Sequence, residues 1–375
     1  MSNLVWPIII STLVSFVLTY LVKQYALKHH LAMPIRARDV HTKQIPRLGG
    51  LAIFGAFLIV VIIYQVASQN NFSGFGFPFA IFGISIDKRL LAVLIASVVL
   101  VATMAYDDIK GLKPYQKLSA QILVALIIIA GGIGIRYINN PFGGLEFRLD
   151  QWQIPVQIGA ATYHFVVLAD LLAVAWLLLL MNVVNFSDGV DGLAGTMTAI
   201  ALLVLMLLSL RDPVNQPATA LLSSIGFGAV LGFLFWNWPP AKIFMGDSGA
   251  MFLGFLIGVI GLIAGGKIAT ILVVLALPIL DALLVIFTRL IHGYNPLTHP
   301  DQSHLHHRFL HANFSARQTL TVLGVFCATF GIIALKYTGL VKAEMFGIAV
   351  IALVIIIIAL SAKSRNDNSK LSSAN

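Results

Sequence analysis

The chain has 375 residues, of which 59% are hydrophobic and only 10% charged, with a mean hydropathy of +0.93, so it cannot present an ordinary water-facing surface. Its net charge of +9 suits anionic partners such as lipid headgroups or nucleotides, and no nucleic-acid partner is expected. The single cysteine, Cys327, lies in an apolar run and excludes both an intramolecular disulfide and a cysteine metal cluster.

Apolar stretches near bilayer length follow one another along the chain: residues 4–22, 49–67, 90–106, 118–135, 165–181, 193–210, 218–236, 250–265, 268–286, 320–335 and 346–360. A soluble fold would have to hide all of them with almost no polar faces. The expected fold is therefore all-α, a polytopic integral membrane bundle of about 11 transmembrane helices. The first stretch lacks a basic leader and a small-residue cleavage site and reads as a retained span. Most of the 24 Lys and Arg fall in alternate connections on one side, which favours the N-terminus outside and the C-terminus inside. Residues 1–361 form one membrane domain, and the polar stretch 362–375 reads as a disordered cytoplasmic tail. The longest outer connection, from Arg136 to about His164, alternates apolar and polar residues over 145–154, a small β-hairpin signal. Glycines four apart at Gly228/Gly232, Gly254/Gly258 and Gly261/Gly265 mark close helix packing, with a homodimer seam as the alternative.

Charge near a bilayer is costly, so its placement carries information. Four segments on the inner side hold nearly all the chemistry. Asp107-Asp108-Ile-Lys-Gly-Leu-Lys-Pro114 follows the third span; adjacent carboxylates repel, and they call for a metal, a cation or a shared proton unless they form a solvated turn. Asn182-Val-Val-Asn185-Phe-Ser-Asp188-Gly-Val-Asp191-Gly192 offers two amides and two carboxylates, oxygen donors of the kind magnesium prefers. Phe244-Met-Gly246-Asp247-Ser248-Gly249 is by itself as consistent with a helix cap as with a ligand. His299-Pro-Asp301-Gln-Ser-His304-Leu-His306-His307-Arg308 is read as a phosphate contact in preference to a zinc site, having no thiol. One shared site is simpler than four unrelated turns. The physical sketch is magnesium-dependent phosphoryl transfer at the membrane surface.

These four motifs, in this order, resemble the polyprenyl-phosphate N-acetylaminosugar-1-phosphate transferase family over about residues 34–317, most of the chain. The basic first connection, with His41 and Ile45-Pro-Arg-Leu-Gly-Gly50, resembles it too, although Ala32-Met33 stand where many relatives carry an Asp before the proline. Pro300-Asp-Gln-x-His-x-His-His307 is similar to the undecaprenyl-phosphate N-acetylglucosaminyl-phosphate branch. The resemblance implies attack of undecaprenyl phosphate on a UDP-N-acetylaminosugar, most simply UDP-N-acetylglucosamine, in a bacterial cytoplasmic membrane. That reaction releases UMP and starts a lipid-linked cell-envelope glycan. It assigns Asn185 and Asp247 to Mg2+, with Mn2+ as a substitute. Asp107 and Asp108 fall to the lipid phosphate and, with Asp188 and Asp191, make up the catalytic carboxylates. Asn182, Asp301, His304, His306, His307 and Arg308 fall to the substrate. Asp281, inside the ninth span, is an intramembrane acid that is either functional or paired with Arg289. Asp170 is given no role. A secondary transporter is the rival, and it would place ionisable groups near the midplane on helices related by a repeat.

Overall fold

A computed structural model describes residues 2–31, 45–67, 78–81, 84–135, 137–138, 147–149, 151–158, 161–212, 214–263, 267–294 and 304–373. Among these, thirteen helices follow in order: α1 Ser2–Lys28, α2 Gly49–Ala67, α3 Lys88–Lys110, α4 Pro114–Ala130, α5 Val167–Ser187, α6 Leu193–Ser209, α7 Pro217–Asn237, α8 Gly246–Ile263, α9 Ile268–Val274, α10 Ala276–Ile291, α11 Leu305–His311, α12 Ala316–Lys336 and α13 Leu340–Ser373. The all-α membrane architecture is present.

The span count is lower than about 11. Among the described residues, eight helices are long and apolar enough to cross a bilayer, or nine with α9 and α10 taken as one bent span. Two further expected spans, α4 and α6, are helices of only 17 residues, at the short limit for crossing. The expected ninth span bends by 81° at Leu275. Pro278 favours the bend: it has no N–H to donate to the carbonyl of Val274, and its ring crowds that carbonyl. Beyond the expected domain boundary at residue 361, α13 continues as helix to Ser373. Its polar end contains no Gly or Pro to stop the helix.

The small sheets are three antiparallel hairpins: β1 Pro78–Ile81 with β2 Ile84–Asp87, β3 Tyr137–Ile138 with β4 Phe147–Arg148, and β5 Gln153–Ile158 with β6 Ala161–Val166. The long connection thus does carry a hairpin. Its main ladder is displaced toward residues 153–166, where Tyr163, Phe165 and Val166 supply β-formers. Asp170 has a structural task, since its Oδ2 accepts a hydrogen bond from Val166 N (2.9 Å) and secures the entry to α5.

At the centre stands α8, buried without interruption from Ser248 to Leu262 and packed against α2, α3, α5, α6, α7 and α9. The most extensive pairing joins α1 to α7. A Cβ at Gly228 would come within 2.0 Å of Ser11 Oγ, and one at Gly232 within 2.2 Å of Thr12 O. That glycine seam is therefore filled by α1 of the same chain.

Candidate active site

The site forms where α3, α5 and α8 bring polar termini to one end of the bundle. On α3, the last turns place Asp107 and Asp108 in the helix, both buried. Gly111, at φ 79°, then ends α3, and Asp107 Oδ1 accepts from Leu112 N (2.6 Å), turning the chain into α4. One turn into α4, the Lys117 ammonium lies between two carboxylates, 2.5 Å from Asp107 Oδ2 and 2.6 Å from Asp247 Oδ2.

Asp108 faces the start of α8. Its Oδ1 accepts from Asp247 N (2.8 Å), and its Oδ2 accepts from Ser248 N (3.1 Å) and Ser248 Oγ (2.6 Å). The first N–H groups of a helix lack internal partners, so Asp108 acts as an N-cap for α8 supplied from α3. Gly246 sits at φ 72°, and a Cβ there would lie 2.1 Å from Arg47 O and 2.6 Å from Asp108 Oδ2. The same turn is braced from the other side. Phe244 N donates to Pro46 O (2.8 Å), while Gly49 N and Gly50 N donate to Phe244 O (3.0 Å) and Met245 O (2.8 Å). The Ile45–Gly50 motif thus holds the Met-Gly-Asp turn in place. His41 lies outside the described residues.

On α5, Asn185 Nδ2 donates to Asp247 Oδ1 (3.0 Å). One turn earlier, Asn182 Nδ2 donates to Gln121 Oε1 (3.0 Å) and Leu178 O (2.7 Å), and Gln121 Nε2 donates to Met251 Sδ (3.3 Å). Two layers result, each drawing one side chain from α4, α5 and α8: Lys117, Asn185 and Asp247 above, Gln121, Asn182 and Met251 beneath. Asn182 is thereby a packing amide that fixes the rotation of three helices. Gln121 went unnoticed in the sequence, where the only signal is a lone amide in an apolar span four residues after Lys117.

Between α5 and α6, Asp191 Oδ2 accepts from Ala241 N (2.8 Å), and Gly192 N donates to Asn237 Oδ1 (3.0 Å). These bonds tie the Asp-Gly-Val-Asp-Gly loop to the connection leading into α8. Among the described residues, no hydrogen bond or ion pair reaches the Asp188 carboxyl. Burial pushes that carboxyl well above the usual range, and the charges of Asp247, Asp108 and Asp191 push it further, with Arg47 opposing. Asp188 thus shares one electrostatic field with the carboxylates of α3 and α8.

Of the histidine segment, residues 304–308 are described, and they lie beside this loop. A Cβ on Gly189 would meet His306 Nε2 at 2.1 Å, so this ring lies directly over the loop. Burial, with the neighbouring His307 and His304, holds the His306 pKa well below the ordinary histidine value, which makes it a neutral imidazole. His306 lies between its neighbours, 5.8 Å from His304 and 4.3 Å from His307 by ring centroid. Arg308 follows on α11. Asp301 lies outside the described residues. The hydrogen bonds of the Asp281 carboxylate run to the histidine segment: its Oδ2 faces His304 Nδ1 at 3.0 Å and its Oδ1 accepts from Leu305 N at 2.9 Å.

Oxygen atoms of Asp107, Asp108 and Asp247 lie within 4.8 Å of one another. The donor set is all oxygen, and an ammonium already bridges two of its members. These residues fit a hard divalent cation such as magnesium. A helical membrane bundle with clustered carboxylates, a bridging lysine and a neighbouring histidine defines a class of polytopic membrane protein with a polar, cation-compatible site at one end.

Comparison with known proteins carries this further. The profile of Glycosyl transferase family 4 matches residues 90–265, which contain all the clustered carboxylates. A Bacillus subtilis protein named "Probable undecaprenyl-phosphate N-acetylglucosaminyl 1-phosphate transferase" is 30% identical over 341 residues, covering 89% of this chain and 85% of its own. The decaprenyl-phosphate N-acetylglucosaminephosphotransferase of Mycolicibacterium smegmatis is 31% identical over 377 residues, 92% of this chain and 86% of its own. More distant is the phospho-N-acetylmuramoyl-pentapeptide-transferase of Streptococcus uberis, 28% identical over 265 residues, 68% and 72% of the two chains. The chain belongs to glycosyl transferase family 4.

Proposed function

We propose that the protein transfers N-acetylglucosamine 1-phosphate from its UDP derivative to a polyprenyl phosphate, with magnesium, at the cytoplasmic face of a bacterial inner membrane. The observation that carries this is the grouping of Asp107, Asp108 and Asp247 around the Lys117 ammonium, at one end of a membrane bundle. The names of the relatives that cover nearly the whole chain support the acceptor and the sugar.

In the reaction, an acceptor phosphate oxygen forms a bond to the β-phosphorus of the UDP-sugar. The bond from that phosphorus to the oxygen bridging it to the α-phosphorus breaks, and UMP leaves with the bridging oxygen. Asp247, oriented by Asn185 and Lys117, is the main metal-holding carboxylate, with Asp107 beside it. When bound, the metal neutralises charge on the diphosphate. Asp108 holds Asp247 in position through backbone hydrogen bonds. Asp188 is the carboxyl left open to substrate. A phosphate monoester has a second pKa near 6, so the acceptor is already largely dianionic at neutral pH and a strong base is not required. His304, His307 and Arg308 supply donors for the nucleotide-sugar, while neutral His306 packs the arm onto Gly189.

A transporter would also use a broken helix such as α9–α10. Here the acid on that helix is committed to His304, and the carboxylates gather at one end of the bundle instead of the midplane.

The test is UMP release by the purified protein in detergent. It should require UDP-N-acetylglucosamine, undecaprenyl phosphate and magnesium together, and UDP-muramoyl-pentapeptide should not substitute. Turnover of the pentapeptide substrate at a comparable rate would refute the sugar assignment, and UMP release without polyprenyl phosphate would refute the acceptor.

Sidedness has its own measurement. Lys113 and Trp152 are both exposed, on connections expected to face opposite sides. In a Cys327→Ala background, Trp152→Cys should react with an impermeant thiol reagent on spheroplasts, and Lys113→Cys only after lysis. Labelling of Lys113→Cys on sealed spheroplasts would invert the topology.

A further inference from the structure

Resting on the transferase function above, we infer that Asp281 is a positioning residue that fixes the tautomer and ring plane of His304 at the edge of the carboxylate site. Asp281 is buried in the second turn of α10, just beyond the bend at Leu275. Both its oxygens are used, Oδ2 by His304 Nδ1 at 3.0 Å and Oδ1 by Leu305 N at 2.9 Å. An ionised carboxylate can only accept hydrogen bonds, so the proton between them sits on Nδ1. Nε2 is then the only ring atom that His304 can offer to another group.

The ring is held on its faces as well. Phe186 lies 5.2 Å away by centroid, and His306 lies parallel to within 5° at 5.8 Å. Phe186 directly follows Asn185, whose amide bonds Asp247. The Asp281 carboxylate therefore sets one histidine in register with the residues that hold the diphosphate. In metal sites, an outer carboxylate that orients a ligating histidine commonly contributes on the order of 10–100-fold to affinity or activity. The expected effect of disturbing Asp281 lies in the same range.

Asp281→Asn separates orientation from anchoring. Its Oδ1 can still accept from Leu305 N, but its NH2 now faces Nδ1 and forces the proton onto Nε2. The kcat/KM for UDP-N-acetylglucosamine should fall by about 10–100-fold, with KM for undecaprenyl phosphate and the thermal midpoint retained. His304→Ala should fall by a similar factor. The Asp281→Asn/His304→Ala double variant should be no worse than His304→Ala alone, because Asp281 acts through that ring.

Multiplicative losses in the double variant would overturn the inference. So would near-normal kcat/KM in Asp281→Asn, or its failure to fold, which would mark the carboxylate as an anchor for α11. A wild-type protein that releases no UMP would instead remove the transferase function itself, an outcome visible before any variant is made.

Discussion

Asp247→Ala is expected to lower UMP release by on the order of 10²–10³-fold or more, with little change in the thermal midpoint. The carboxylate occupies the first turn of α8, yet the backbone there is secured by Asp108, so the helix does not need the Asp247 side chain to hold its start. What the substitution removes is electrostatic. Among the described residues, Lys117 keeps Asp107 as its ion-pair partner, Asn185 loses the acceptor of its amide, and the cluster loses the main carboxylate that would hold magnesium. Magnesium retains several waters and takes few protein ligands, so the loss of one anionic donor weighs heavily.

Asn185→Ala should be milder, about 10–100-fold, and partly rescued by raised magnesium, because the charge at Asp247 survives. UDP-sugar binding measured beside a magnesium titration of activity separates the two variants. Near-normal turnover in Asp247→Ala at ordinary magnesium would sink the metal assignment. Failure of added magnesium to recover any activity in Asn185→Ala would indicate that the amide does more than orient a carboxylate.

The membrane class, and the segments whose acids the fold gathers, were legible in the sequence for one physical reason. Asp107, Asp108, Asp188, Asp191 and Asp247 stand out against a chain that is 59% hydrophobic, and a bilayer tolerates such groups only where they are used or paired. The motif order that resembled a sugar-phosphate transferase family pointed the same way as the family match and the relatives. Hidden from the sequence was which carboxylate meets which partner. The bond from Ser248 to Asp108 spans 140 positions, and the one from Lys117 to Asp247 spans 130. No local pattern encodes such pairings. An isolated amide such as Gln121 in a span carries no motif, although Gln121, Asn182 and Met251 each stand one helical turn, three or four residues, from Lys117, Asn185 and Asp247. Arg289 was one candidate partner for Asp281, as a basic residue near the end of the same span. The bend between α9 and α10 brings His304 and Leu305 N to that carboxylate.

Asp108 should behave unlike Asp247, and the contrast separates architecture from chemistry. Both residues sit in the acidic cluster and resemblance assigns both to the reaction, but every hydrogen bond found on Asp108 runs to the start of α8. Asp108→Ala would strand two buried backbone N–H groups and a hydroxyl in place of three hydrogen bonds to a charged acceptor. Each such bond contributes roughly 1.5–3 kcal/mol, and a loss of several kcal/mol is expected even after allowing for non-additivity. The thermal midpoint should drop sharply and turnover should vanish with it, since Asp247 is no longer held. Asp108→Asn is intermediate. Its oxygen can keep Asp247 N, and the Ser248 hydroxyl can rotate to accept from the new NH2, but Ser248 N is left facing a donor. Ser248→Ala removes only the hydroxyl bond and should cost about 1–2 kcal/mol while leaving activity measurable. Thermal unfolding in detergent, paired with UMP release, orders the three variants as Ser248→Ala, Asp108→Asn, Asp108→Ala from most to least stable. An Asp108→Ala protein that unfolds at the wild-type temperature yet is inactive would move Asp108 from the cap of α8 into the chemistry.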